Sequence, residues 1–263
     1  MKIMIASDGP HAHFYIRSGW IKVLQALGHQ AVLWDIGTKS SFDAFDEFEP
    51  DIFIGQTYNM DRGVVSCIKE RPHIKVVLRA SDWGDMQKEI DLEKYPILVA
   101  REDEKRVLEQ LKEETGAPDF VYNHYHQGWI EKTHNRWRDI GIEPVSMLHA
   151  ADVFSYANGL EDPELTSNIS FVGGYWPYKA QIMDAFLLPL CYPVGKYNIK
   201  IFGNQPWTGV NQYCGMIMDH NVKNLFKSAA ICPNFSEPHA PAFGFEVNER
   251  IFKVLCAGGF TMN

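Results

Sequence analysis

The chain has 263 residues, enough for one large or two medium domains that each bury a core. Its apolar fraction of 46% and charged fraction of 22% exclude a disordered protein, and a net charge of −8 with no lysine or arginine run lacks the footprint of a nucleic-acid binder. Five scattered cysteines without a CxxC pair, too short an N-terminal apolar run for a signal peptide and no window of about 18 apolar residues predict a reduced, cytoplasmic protein with no membrane span.

Along the chain, "KIMIAS" is a short β-type run closed by the turn Asp8-Gly9-Pro10. In "YIRSGWIKVLQALGH" the residues Ile16, Trp20, Val23, Leu24 and Leu27 recur at helical spacing, and Gly28 stops the helix. "QAVLWDI" is the next strand, followed by an acidic, aromatic connector over Phe42 to Phe48. "DIFIGQ" and "KVVLRASD" repeat the strand pattern around a helix from Asp61 to Lys69, "PILVAR" is a fifth strand, and "EDEKRVLEQLKEETG" is a charged helix. Buried-type strands alternating with amphipathic helices predict a mainly parallel, doubly wound sheet over 1–150. "HYHQGWIEKTHNRW" reads as an amphipathic helix packed on that sheet.

Residues 151–168, rich in Asp, Asn, Ser, Gly and Pro, read as an interdomain linker. Over 169–263 the rhythm restarts with "ISFVGG", "KAQIMDAFLLPLC", "NIKIFG", "VKNLFKSA", "AAICPNF" and "VNERIFKVLCAGG" as alternating strands and helices.

In open parallel sheets ligands bind beyond the carboxyl ends of the strands, where helix N-termini offer N–H groups to anions. "FVGGYWPYK" puts Gly173, Gly174 and Tyr175 after a strand and Lys179 at the next helix start; a double glycine there is equally a tight turn. "GFEVNERIF" opens the last helix with Gly244, Phe245, Glu246, Asn248 and Arg250. A cation in a helix's first turn opposes the dipole, so either an anionic ligand or an ion pair with Glu246 or Glu249 is expected for Arg250. Alanine at 250 is expected to weaken binding of a diphosphate and leave stability nearly unchanged.

The blocks "ISFVGGYWPYK", "IKIFGNQPW", "NLFKSAAICPNFSE" and "VNERIFKVLCAGGF", in this order and spacing, resemble the C-terminal half of GT-B glycosyltransferases, in the group-1-like branch called spore-maturation-protein-B-like. "LQALGHQAVLWD" is similar to the first helix and second strand of that family's N-terminal domain. The resemblance implies an α/β protein of two Rossmann-like doubly wound parallel-sheet domains, the second incomplete at its C-terminus. It further implies an acceptor-binding first domain, a second domain holding a nucleotide diphosphate sugar as donor substrate, and no separate cofactor. The acceptor stays unknown: a glycan, a protein or a small molecule. Retaining relatives carry a Glu-x7-Glu pair whose second glutamate holds the ribose; Phe245 and Lys253 stand at those positions here. An ammonium has hydrogen-bond donors only, so weak, salt-sensitive nucleotide binding through the diphosphate is expected.

In the first half, "SDGPHAHF" follows the first strand, making His11 and His13 candidate general bases or plain loop residues. "RASDWGD" ends the fourth strand, with Asp82 as proton acceptor or helix cap and Trp83 as a sugar-stacking ring. The His11-x-His13 and His124-x-His126 pairs lack further ligands, so no metal site is expected. A glycosyltransferase is the reading; a non-catalytic GT-B remnant and a nucleotide-sugar epimerase of the same fold are the rivals.

Overall fold

The computed structural model describes residues 1–9, 12–57, 60–80, 104–175, 177–207, 209–235 and 247–262. These form two compact units, Met1–Leu148 and His149–Asn263.

The first unit runs β1 (Lys2–Ser7), α1 (Ala12–Ala26), β2 (Gln30–Asp35), α2 (Ser41–Phe48), β3 (Ile52–Gln56), α3 (Arg62–Glu70), β4 (Lys75–Arg79), α4 (Glu104–Thr115), β5 (Phe120–Asn123), α5 (Gln127–Thr133), α6 (Asn135–Asp139) and β6 (Pro144–Ser146). Its six strands lie in the order β2-β1-β3-β4-β5-β6, all parallel. Strand alternation divides the apolar residues between two faces. Ile3 and Ile5 with Ile52 and Ile54 meet Trp20, Ile21 and Leu24 of α1, whereas Met4, Phe53, Val76 and Leu78 pack with Phe45 of α2 and Val64 of α3.

Three sequence expectations change here. The connector over Phe42 to Phe48 is a helix: Ser40 Oγ accepts from Asp43 N at 3.2 Å, and Phe45 is fully buried against Trp34 and Phe53. The fifth and sixth strands are the short "FVYN" and "PVS" segments; "PILVAR" lies outside the described residues. The amphipathic segment around Trp129 splits into α5 and α6. His126 caps α5 by accepting from Gly128 N at 3.2 Å, and the buried Ile130 and Trp137 carry its apolar side.

The second unit runs α7 (Val153–Tyr156), β7 (Ser167–Val172), α8 (Pro177–Phe186), a 3-10 turn (Leu188–Cys191), β8 (Ile199–Phe202), α9 (Asp219–Ser228), β9 (Ala229–Pro233), α10 (Glu249–Cys256) and β10 (Thr261–Met262). The strands are parallel in the order β10-β9-β7-β8. Residues 151–168 are part of this unit instead of a free linker. Tyr156 stacks on Phe226 with ring centroids 6.3 Å apart, Leu160 N donates to Asn224 Oδ1 at 2.9 Å, and Asp162 N donates to Ser228 Oγ at 2.8 Å. Gly159 is needed for this seating, since a Cβ there would lie 2.5 Å from the Lys223 carbonyl oxygen.

Each sheet reverses its winding direction once. The reversal falls between β1 and β3 in the first unit and between β7 and β9 in the second, and the carboxyl ends flanking such a point form the crevice where doubly wound sheets take ligands. Among the described residues, no helix is long and apolar enough to cross a membrane.

Candidate functional site

In the second unit the chain turns sharply at the end of β7. Gly173 N donates to the Phe202 carbonyl at 3.1 Å, and a Cβ on Gly203 would stand 2.3 Å from the Gly173 carbonyl oxygen, so the ends of β7 and β8 meet backbone to backbone. A Cβ on Gly173 would stand 3.0 Å from Arg250 Nη2 and 3.2 Å from the Phe171 ring. The double glycine therefore makes room for an arginine 77 positions later in the chain. Gly174 has nothing nearer than 3.8 Å to such a Cβ and is exposed.

Arg250 arrives on α10. Asn248 caps that helix, its Oδ1 accepting from Arg250 N at 3.1 Å, which gives this predicted ligand residue a structural role. The arginine side chain turns to the end of β7: Nη2 donates to the Val172 carbonyl at 3.1 Å, and the guanidinium lies 4.5 Å from the Phe171 ring centroid. A strand-end carbonyl and an aromatic face thus offset part of the unfavourable helix dipole. Among the described residues Val172 O is the one hydrogen-bond partner of this guanidinium. Burial lowers the Arg250 pKa, Glu249 opposing it, and burial pushes the nearby Cys232 thiol up to about 12.

Tyr175 N donates to Asn204 Oδ1 at 2.8 Å, and its ring sits 5.0 Å from that of Trp207. Its described partners are thus protein groups that fix the turn after Gly174. Lys179 lies in the first turns of α8 at the same carboxyl edge. Gly244, Phe245 and Glu246 fall outside the described residues, as do His11, Asp82 and Trp83 of the first unit.

Lys253 pairs with Glu249 at 3.7 Å, the i,i+4 spacing that the sequence suggests. The pair is not a solvated one: the side chains are only 13% and 21% exposed, because Tyr156 of the supposed linker covers Lys253 at 5.4 Å from its ring centroid. Burial pulls the Lys253 pKa down against the attraction of Glu249. For Glu249 burial acts upward, but Lys253, His149 and Arg250 together outweigh it and hold the carboxyl below its usual range. A lowered carboxylate pKa contributes stability above the unfolded value of about 4.3, lost as pH falls through the folded one. Glu249→Gln is therefore expected to lower the melting temperature at pH 7, and the gap to the wild type to shrink progressively on acidification below about pH 4. A gap that stays constant down to pH 3 contradicts the assignment.

In the first unit, His13 stands in the first turn of α1 with Nε2 3.4 Å from Arg79 Nη1, and Arg79, 2% exposed at the end of β4, also reaches Gln56 Oε1 at 3.4 Å. His124 Nδ1 meets the Met147 carbonyl at 2.7 Å and His126 caps α5, so that pair has structural partners. Among the described residues no cluster of three or more metal-ligating side chains occurs.

The two parallel Rossmann-like units are those of GT-B proteins, and solved structures of that kind are the chain's neighbours. An α-glucosyltransferase in complex with UDP and a 13-mer DNA containing a HMU base matches with a TM-score of 0.62 at 10% identity, over 99% of this chain and 78% of that one. An α-glucosyltransferase in complex with UDP matches with a TM-score of 0.57 at 11% identity, over 98% and 79%. A protein assigned as a UDP-N-acetylglucosamine 2-epimerase from Listeria monocytogenes matches with a TM-score of 0.50 at 7% identity, over 89% and 73%. At such identities the likeness is one of fold. No family model and no curated protein matches the chain.

Proposed function

We propose that this chain is a glycosyltransferase that uses a nucleotide diphosphate sugar, its second unit holding the donor and its first unit the acceptor. One observation carries the reading: Arg250, anchored by a single N–H to Val172 O, brings a cationic fork to the glycine-lined end of β7, beside the winding reversal of the sheet. Diphosphate is the ligand such a fork suits, since paired N–H donors match its oxygens and stabilise the charge that grows on it as the sugar leaves. The fold shared with α-glucosyltransferases that bind UDP supports the same donor class. The sequence blocks favour the spore-maturation-protein-B-like branch, and Lys179 is a second cation for the diphosphate.

A non-catalytic nucleotide-binding remnant is the second reading, favoured by one feature. By the sequence resemblance Lys253 stands where retaining relatives carry the ribose-binding glutamate, and here Glu249 and Tyr156 engage it.

Thermal-shift measurements with UDP, GDP, dTDP and NAD test the proposal. A nucleotide diphosphate at a hundred times its dissociation constant is expected to stabilise by about 2.7 kcal/mol, with no shift for NAD. No response to any nucleotide diphosphate overturns it.

A further inference from the structure

Three consecutive residues at the end of β7 make a seat for one planar cation. Phe171 presents the face of its ring, 4.5 Å from the central carbon of the Arg250 guanidinium; Val172 presents its carbonyl, 3.1 Å from Nη2; and Gly173 presents an open flank. Phe171 and Gly173 lie two positions apart along an extended chain and so face the same side, where a Cβ on the glycine would crowd the ring at 3.2 Å and Nη2 at 3.0 Å. The ring is fixed from behind. Phe171 is 1% exposed, pairs in register with Ile201 of β8, and is wedged by Phe235 at 5.5 Å and by Trp207, edge-on, at 5.9 Å. The seat is thus part of the second unit's core.

A ring face does something particular to a guanidinium. All the N–H bonds of that group lie in its plane, so an aromatic ring against one face sets the plane without engaging a donor. The carbonyl on Nη2 then sets the rotation within the plane. An aliphatic side chain could fill the same volume, but it would not orient the cation, because the attraction comes from the negative face of the ring. We infer that Phe171 is a positioning residue, holding the Arg250 fork in one orientation at the end of β7 so that a diphosphate meets it already ordered. Affinity gains from this because a group that populates its binding-competent orientation at all times has no ordering cost left to meet when the ligand arrives. This role rests on the diphosphate reading of Arg250, whereas the seat itself does not.

Mono-, di- and trifluorophenylalanine at position 171 keep the shape of the ring and weaken its negative face in steps. Titration calorimetry of the full chain with UDP, GDP and dTDP compares these proteins with wild type and with Phe171→Leu. The NMR signal of the Arg250 Nε–H, assigned with Arg250→Lys, is recorded without ligand. The ring current is expected to displace that signal in wild type, and Phe171→Leu to abolish the displacement. For the nucleotide diphosphate that binds wild type, affinity is expected to fall at each fluorine step and by about threefold or more in Phe171→Leu. Equal affinity of wild type and the trifluoro protein overturns the inference, whether or not Phe171→Leu folds, because a ring that only fills the core is indifferent to its charge distribution. An Arg250 signal without displacement in wild type overturns the seat. A displaced signal in a protein that binds no nucleotide diphosphate upholds the seat and removes the diphosphate reading, and with it the role given to Phe171.

Discussion

Replacing Arg250 with alanine is expected to abolish measurable binding of a nucleotide diphosphate and to destabilise the second unit by about 2 kcal/mol. The second part reverses what the sequence suggests, where a first-turn arginine looks like a surface group whose loss costs binding alone. In the fold its guanidinium bonds the Val172 carbonyl and covers the Phe171 ring, so truncation leaves a strand-end carbonyl and an aromatic face without their partner. Arg250→Lys separates the two effects. A lysine keeps the charge and one donor but lacks the fork, so it should recover part of the stability and little of the affinity. Urea unfolding and calorimetry on the three proteins check this. An alanine variant as stable as wild type would mean that the guanidinium does not sit where Gly173 leaves it room.

Reversing the charge at position 253 should produce the largest loss of stability. Lys253→Glu would face Glu249 with a second carboxylate one turn away, near Asp152 and under the Tyr156 ring, at a position only 13% exposed. Breaking a largely buried pair in this way is expected to cost on the order of 3 kcal/mol. The double exchange Glu249→Lys with Lys253→Glu restores opposite charges and should regain at least half of it. A single variant that melts with the wild type would contradict the buried pair. If position 253 lies at the ribose as the family resemblance implies, Lys253→Glu supplies the ribose with a hydrogen-bond acceptor while weakening helix α10, two effects of opposite sign on nucleotide affinity. The exchanged pair is therefore the cleaner protein on which to look for tighter binding.

The alternation of short apolar strands with amphipathic helices is enough to read both sheets as parallel, because parity and helical spacing are local properties of the chain, whereas β5 and β6, four and three residues long, are too short to show it. The segments that escaped were those whose identity depends on packing. Phe42 to Phe48 has the composition of a loop, and becomes a helix through the Ser40 cap and the burial of Phe45. Residues 151–168 lack periodicity, yet Tyr156 and Asp162 fasten them to α9. In the site, the strand-end glycines and Arg250 were legible one at a time. That Gly173 leaves space for Arg250 was not, since the two are brought together only by the sheet order. The Glu249–Lys253 pair was legible from its spacing, while its burial depends on Tyr156, 97 positions before Lys253.

Titration calorimetry comparing UDP, GDP and dTDP with the corresponding nucleosides, at low and at moderate salt, tests the central claim most directly. If Arg250 and the end of β7 hold a diphosphate, at least one nucleotide diphosphate binds, its nucleoside does not, and the affinity falls as salt is added. Equal binding of nucleoside and nucleotide, or an affinity that salt leaves unchanged, would contradict it.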